Sequence, residues 1–138
     1  MRITARVAYA SLAVFELALQ PPSARIQAKQ ISEKRLIPLK FLEQILIQLK
    51  NAEIVKSVRG ASGGYLLARS PDDITLKDIV DAVEGGVRVL ETELDGEPTL
   101  SSVWCEIEVE FMRRLDSISI QSLVARSFKE NQILSYEI

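Results

Sequence analysis

Side chains able to hydrogen-bond outward are concentrated between residues 38 and 62. Glu43 and Gln44 lie three and four residues after Lys40, so on a helix all three share one face. In a major groove such residues suit guanine, cytosine and adenine edges, respectively. Arg59 follows in the glycine-rich segment 59–64, and a guanidinium on a loop tip suits a narrow, electronegative minor groove. The residue types and their order favour binding to double-stranded DNA.

Further polar residues near Arg59 are candidate phosphate contacts, which position a protein on DNA without reading its sequence. They are Lys56, Ser57 and Ser62, together with Gly60, whose lack of a side chain lets the backbone approach phosphate closely. Each residue alone has a simpler explanation. Exposed Lys, Glu and Gln are usually only solvated, and Arg59 could pair with a surface carboxylate.

Two amphipathic helices and a hairpin are predicted to carry these residues. Residues 27–34 make about two turns, and Pro38 suits the first turn of a second helix that runs to about residue 51. Residues 54–55 and 65–67 are strand candidates, and 24–26 could pair with them as a further short strand. The inward stripe of the second helix is predicted to be Leu39, Leu42, Ile45, Leu46 and Leu49.

Helices are also predicted before and after this unit. Residues 5–19 suit a largely buried helix that ends at Pro21-Pro22-Ser23. Thr75 followed by Asp78 marks another helix start, and Gly85-Gly86 its end. We expect Ser119 to cap a short last helix, with residues 132–138 loosely packed.

A long helix is predicted between residues 99 and 116, and its apolar stripe has little left to pack against in so small a chain. Pairing with the same helix of a second subunit would bury it and give a two-fold homodimer. The expected dimer residues are Leu100, Val103, Ile107, Phe111 and Leu115.

The predicted fold is therefore mainly α with a small β-wing, a winged helix-turn-helix with a long dimerisation helix. Residues 1–84 would form the DNA-binding domain, 85–98 a connector, and 99–138 the dimerisation helix and C-terminal tail. No run of about 18 apolar residues indicates a membrane span, and we expect a cytoplasmic protein with no membrane partner.

Charge is divided unevenly between the two halves of the chain. Residues 1–69 hold eleven Lys/Arg and four Asp/Glu, a net charge of +7, whereas residues 70–138 hold six and fifteen, a net charge of −9. One half can therefore face phosphate although the whole chain is slightly acidic. The simpler alternative is that the basic residues only solvate one lobe.

Histidine is absent and Cys105 is the one cysteine, which removes the usual groups for a metal, a proton relay or a catalytic dyad. We therefore expect neither an enzyme nor a cofactor. Cys105 is either an inert apolar side chain or, if exposed, open to oxidants. Trp104 and Tyr65 are expected in a core, with ligand stacking as the alternative.

Several segments together resemble the IscR/CymR (Rrf-two) family of bacterial winged-helix repressors. They are Met1-Arg2-Ile3-Thr4, Phe41-Leu42-Glu43-Gln44-Ile45-Leu46, Val55-Lys56-Ser57-Val58-Arg59-Gly60, Gly63-Gly64-Tyr65-Leu66-Leu67 and Ile74-Thr75-Leu76-Lys77-Asp78-Ile79. The resemblance implies a homodimer with a crossing helix and a palindromic operator. It also implies DNA contacts from the positions of Pro38, Lys40, Glu43, Gln44 and Arg59.

The chain also departs from that family's pattern. Members that hold a [2Fe–2S] cluster have three cysteines and a histidine between the region of Glu91 and the long helix, whereas Cys105 falls after that region. The resemblance is thus to cluster-free, CymR-like members, which respond to a protein partner or another signal, such as a small effector. Leu36 and Glu53 replace usual glycines, and Val7-Ala8 replaces a common Gly-Arg pair, changes that could shift the operator preference.

Two other classes of function remain open at this stage. A winged-helix module that docks a protein and no longer binds DNA would have the same predicted fold. A small enzyme has little support, because only isolated carboxylates and one thiol are present.

Overall fold

In the computed structural model, residues 2–90, 92 and 94–137 are described, and they form six α-helices and one two-stranded hairpin. A 3-10 turn at Pro71–Asp73 precedes the fourth helix. This is the mainly helical winged helix-turn-helix that the sequence predicts. The elements are α1 (Ala5–Ala18), α2 (Ala28–Arg35), α3 (Leu39–Asn51), β1 (Val55–Val58), β2 (Gly64–Leu67), α4 (Leu76–Glu84), α5 (Pro98–Asp116) and α6 (Ile120–Glu137).

The core lies around α1, which packs against α2, α3, α4 and α6. Buried side chains recur at helical spacing on α1, α3, α4 and α6, and α2 contributes Ile31 with the partly buried Ala28, so that one apolar face per helix turns inward. The prediction that Leu39 faces inward is wrong, because Leu39 is the first residue of α3 and is 38% exposed. The most buried side chains include Val14, Ile31, Leu42, Ile45, Leu46, Leu49, Ile79 and Ile120.

The turn between α2 and α3 is held by hydrogen bonds within the chain. Gln27 and Gln30 form a capping box at the start of α2. At its end Leu36 adopts a left-handed conformation (φ 55°, ψ 45°), and the Ile37 N–H donates to the Ser32 carbonyl over 3.1 Å. Ile37 is buried, and Pro38 is the N-cap residue that precedes the first turn of α3. The direction in which α3 leaves the turn is thereby fixed.

The wing is an antiparallel hairpin in which Val55 pairs with Leu67 and Val58 with Gly64. Its first strand extends to Val58, further than the predicted pair 54–55. Ile26 joins the hairpin by two backbone hydrogen bonds with Tyr65, of 3.0 and 2.7 Å, so the predicted strand at 24–26 is reduced to one bridging residue.

The last three helices are tied together where α5 turns into α6. Thr75 and Asp78 form the predicted capping box of α4, and a bridge joins Thr75 to Ser119. The Ile120 N–H donates to the Ile74 carbonyl over 2.8 Å. None of the described helices is long and apolar enough to cross a membrane.

The C-terminal helix is much longer than the sequence suggested. Ser119 does accept a hydrogen bond from the Ser122 N–H over 3.1 Å, as expected for a cap. However, α6 continues to Glu137, so the prediction of a short helix is wrong. The side chains of residues 131–135 are exposed, in keeping with the loose packing expected from residue 132. Ile120 and Val124 anchor its first turns in the core, and helix formation propagates from that anchor.

Candidate nucleic-acid interface

The outer face of α3 presents three polar side chains beside one another. Lys40, Glu43 and Gln44 are all exposed, whereas the neighbouring side chains of Leu42, Ile45 and Leu46 are buried. None of the three takes part in a salt bridge within the part of the chain that the structure describes. Their hydrogen-bonding groups are therefore free to meet an external partner, as the predicted base contacts require.

The wing follows α3 after only residues 52–54, and its first strand β1 packs against α3. Every predicted wing contact is exposed: Lys56, Ser57, Arg59, Gly60 and Ser62. Among the described residues Arg59 pairs with no carboxylate, so the alternative of a surface ion pair is not realised here. Pro38 is also exposed, ahead of Lys40.

Backbone geometry at the wing tip depends on glycine. Gly60 has φ 117°, a conformation that side chains rarely adopt. A Cβ added to Gly63 would lie 2.2 Å from the Val58 carbonyl oxygen, so no larger residue fits without rearrangement. The tight return of the chain to β2 holds Arg59 at the tip.

A buried carboxylate fixes α2 against α1. Glu16 on α1 is almost fully buried. Its Oε1 lies 2.6 Å from Lys34 Nζ, and its Oε2 lies 2.8 Å from Arg35 Nε and 2.7 Å from Arg35 Nη2. Burial by itself raises the pKa of Glu16, but hydrogen bonds and charge from Lys34 and Arg35 outweigh it and lower the pKa below 4.5. The sequence analysis missed this group, although a glutamate inside an otherwise apolar helix was its signal.

The predicted dimer residues on α5 divide into two sets. Leu100, Val103 and Ile107 are exposed in the single chain, and Phe111 is half-buried. Leu115 packs against the chain's own core, so it contributes less to any outer surface than the stripe implied.

The sequence predicts that Tyr65 and Trp104 both pack in a core, and that Cys105 is either an inert apolar side chain or open to oxidants. Tyr65 packs on the core as expected. Trp104 does not, since it is 39% exposed on α5. Cys105 is exposed as well, so it is not a buried apolar side chain.

Comparison with known proteins identifies the family of this fold. The model of the family described as "Rrf2: Iron-dependent Transcriptional regulator" matches residues 3–126. The chain belongs to the Rrf2 family. It is therefore a DNA-binding transcriptional regulator and not an enzyme, as the sequence predicted.

Named relatives and a solved structure agree with the Rrf2 assignment. The chain is 32% identical over 138 residues to the regulator CymR of Bacillus subtilis, covering all of both chains. It is 33% identical to the regulator IscR of Sodalis glossinidius, covering 91% of this chain and 79% of the relative. The structure of CymR (YrzC), the global cysteine regulator of B. subtilis, superposes with a TM-score of 0.82 at 32% identity, covering 91% and 98% of the two chains.

The family description names iron dependence, and the resemblance associates some members with a [2Fe–2S] cluster. The residues of this Rrf2 chain do not fit such a cluster. A [2Fe–2S] cluster takes four ligands from Cys, or from Cys with His. The whole chain contains one cysteine and no histidine. Among the described residues, moreover, no three His, Cys, Asp or Glu side chains are grouped to hold a metal ion. Glu91, at the edge of the expected ligand region, lies outside the described residues.

Proposed function

We propose that this chain is a repressor that acts as a homodimer on a palindromic operator and works without an iron–sulfur cluster. The proposal is carried by the exposed polar side chains of α3 and of the wing, whose first strand packs against α3. Lys40, Glu43 and Gln44 would read base edges, and Arg59 would enter the adjacent minor groove. Pro38, Lys56, Ser57, Gly60 and Ser62 would contact the backbone.

Dimerisation would occur through α5. A helix of 19 residues is about 28 Å long, enough to cross a copy of itself over several turns. Leu100, Val103 and Ile107 supply exposed apolar surface along it, and Phe111 extends the stripe. A two-fold axis through this pair would present two α3 helices to two half-sites, which explains why the operator should be palindromic.

The signal that regulates DNA binding would then not be the state of a bound cluster. Because one cysteine and no histidine cannot ligate such a cluster, the proposed signal is a protein partner or a small effector, and the exposed Cys105 is also open to oxidants. Occupancy of an operator that overlaps a promoter would repress transcription by excluding the polymerase.

Selection of binding sites from a random pool of duplex DNA tests the proposal with the full chain. We expect enrichment of an inverted repeat whose half-site centres lie about one helical turn, or 10 base pairs, apart or a multiple of it. Hydroxyl-radical footprints should be symmetric about its centre. In vitro transcription from a promoter that contains this site should fall as protein is added. Failure to enrich any sequence, or enrichment of an asymmetric single site, would contradict the dimeric repressor.

A further inference from the structure

Two exposed aliphatic side chains accompany the polar residues of the recognition surface. Leu36 is 85% exposed and Ile47 is 57% exposed. Outside α5 and α6, the large apolar side chains that the described structure exposes are these two, Leu39 and Ile3. Three of these four side chains therefore lie on the α2–α3 unit.

Ile47 lies on the same face of α3 as the predicted base contacts. Seven residues at about 100° each place it within about 20° of Lys40 around the helix axis, two turns further along. In projection it falls between Glu43 and Gln44. An α3 helix that reads bases with these two residues therefore also brings Ile47 to the groove.

Leu36 flanks the other end of the same surface. It occupies the left-handed position of the turn, where the backbone of any residue other than glycine or asparagine is strained. The hydrogen bond from Ile37 to Ser32 fixes that turn, and Ile37 points into the core while Leu36 remains exposed. Within the single chain Leu36 thus carries strain and gains almost no burial.

Apolar side chains in a major groove have one specific counterpart, the 5-methyl group of thymine. We propose that Leu36 and Ile47 contact thymine methyl groups and so select operators with thymines at the two positions that they face. The inference rests on the proposed insertion of α3 into the groove. It adds a thymine requirement at each end of the polar reading face formed by Lys40, Glu43 and Gln44.

Replacement of thymine by deoxyuridine tests this requirement, because it removes the methyl group and leaves base pairing intact. The probe is the duplex site enriched by selection, with each thymine replaced in turn and the affinity measured by fluorescence anisotropy at one fixed salt concentration. Burying a methyl-sized group changes an affinity about fourfold. We expect a loss of about this size at the contacted thymines and none at the other thymines.

Protein variants assign each methyl group to a side chain through double-mutant cycles. In Ile47→Ser, deoxyuridine at one of the two contacted positions should no longer lower the affinity, while deoxyuridine at the other should still do so. Leu36→Gly should show the opposite pattern. Both variants are expected to fold, since the side chains are exposed and glycine suits the left-handed position. Val109→Ser, at an exposed position of α5, is the matched control and should retain both losses of affinity.

Two results would overturn the inference while leaving the proposed function intact. One is a wild-type affinity that no deoxyuridine substitution changes. The other is persistence of both losses in Ile47→Ser and Leu36→Gly, which would show that neither side chain contacts a thymine methyl group. Failure of the wild-type chain to enrich any DNA sequence would instead overturn the proposed function, and the inference with it.

Discussion

The buried carboxylate of Glu16 allows a quantitative test of how the recognition unit is held on α1. Glu16→Gln keeps the side-chain size and removes the charge that Lys34 and Arg35 face. A hydrogen bond to a charged group contributes about 1.5–3 kcal/mol. Lys34 is 60% exposed, so solvent screens its share, whereas Arg35 is 25% exposed. We expect the free energy of unfolding to fall by about 2 kcal/mol at pH 7, mainly through Arg35.

The same group predicts a pH dependence with a definite sign. The pKa of Glu16 is lowered from 4.5 in the folded chain, because Lys34 and Arg35 outweigh the effect of burial, which raises it. A carboxyl group of this kind contributes stability that is complete above its unfolded pKa and is lost as pH falls through its folded pKa. The gap between wild type and Glu16→Gln should therefore be constant near neutral pH and shrink below pH 4.5.

Urea unfolding followed by circular dichroism measures both effects, at one protein concentration because the proposed dimerisation would add to stability. Glu130→Gln is the matched control. Its Arg126 partner lies 3.0 Å away, both side chains are well exposed, and the change should stay below about 0.5 kcal/mol. A Glu16→Gln loss no larger than that of the control, or a gap that persists unchanged at pH 3, would refute the reasoning.

Three further predictions concern the wing, the dimer and iron. Gly64→Ala places a Cβ 2.7 Å from the Ile26 carbonyl and should lower the free energy of unfolding by more than about 2 kcal/mol, measured by thermal unfolding. Gly60→Ala, whose added Cβ has nothing within 4 Å, should lower it by only about 1 kcal/mol through backbone strain. Equal losses for the two variants would contradict this. Ile107→Glu should give monomers in sedimentation velocity, whereas Val109→Glu should remain dimeric, and a dimeric Ile107→Glu would exclude the α5 interface. Removal of iron with a chelator should leave DNA affinity unchanged, and a loss that iron and sulfide together restore would contradict the cluster-free proposal.

Local sequence signals were sufficient for the helix-turn-helix and the wing. Apolar spacing predicted α3, and the glycines at 60, 63 and 64 marked the hairpin turn. Thr75 and Asp78 form the predicted capping box because both capping hydrogen bonds join residues three apart in sequence. Such features depend on residues close together in the chain, so they can be predicted from a single sequence.

Features that depend on distant partners escaped the sequence analysis. Glu16 is buried because Lys34 and Arg35 come to it from another helix, which periodicity does not reveal. The length of α6 depends on its anchor against α1. Leu115 looked like part of an outer stripe, yet the fold packs it on the core. In each case tertiary contacts, and not local propensity, decided the outcome.

The account as a whole depends on α3 and the wing binding DNA together. The most direct measurement is the salt dependence of affinity for the selected operator, compared between wild type, Arg59→Ala and Arg126→Ala. The two variants lose the same charge, but Arg126 lies on α6. We predict that Arg59→Ala weakens binding at least tenfold, about 1.4 kcal/mol, and lowers the salt slope, whereas Arg126→Ala binds like wild type. Equal affinities and slopes for the two variants would contradict the assignment of the wing to DNA.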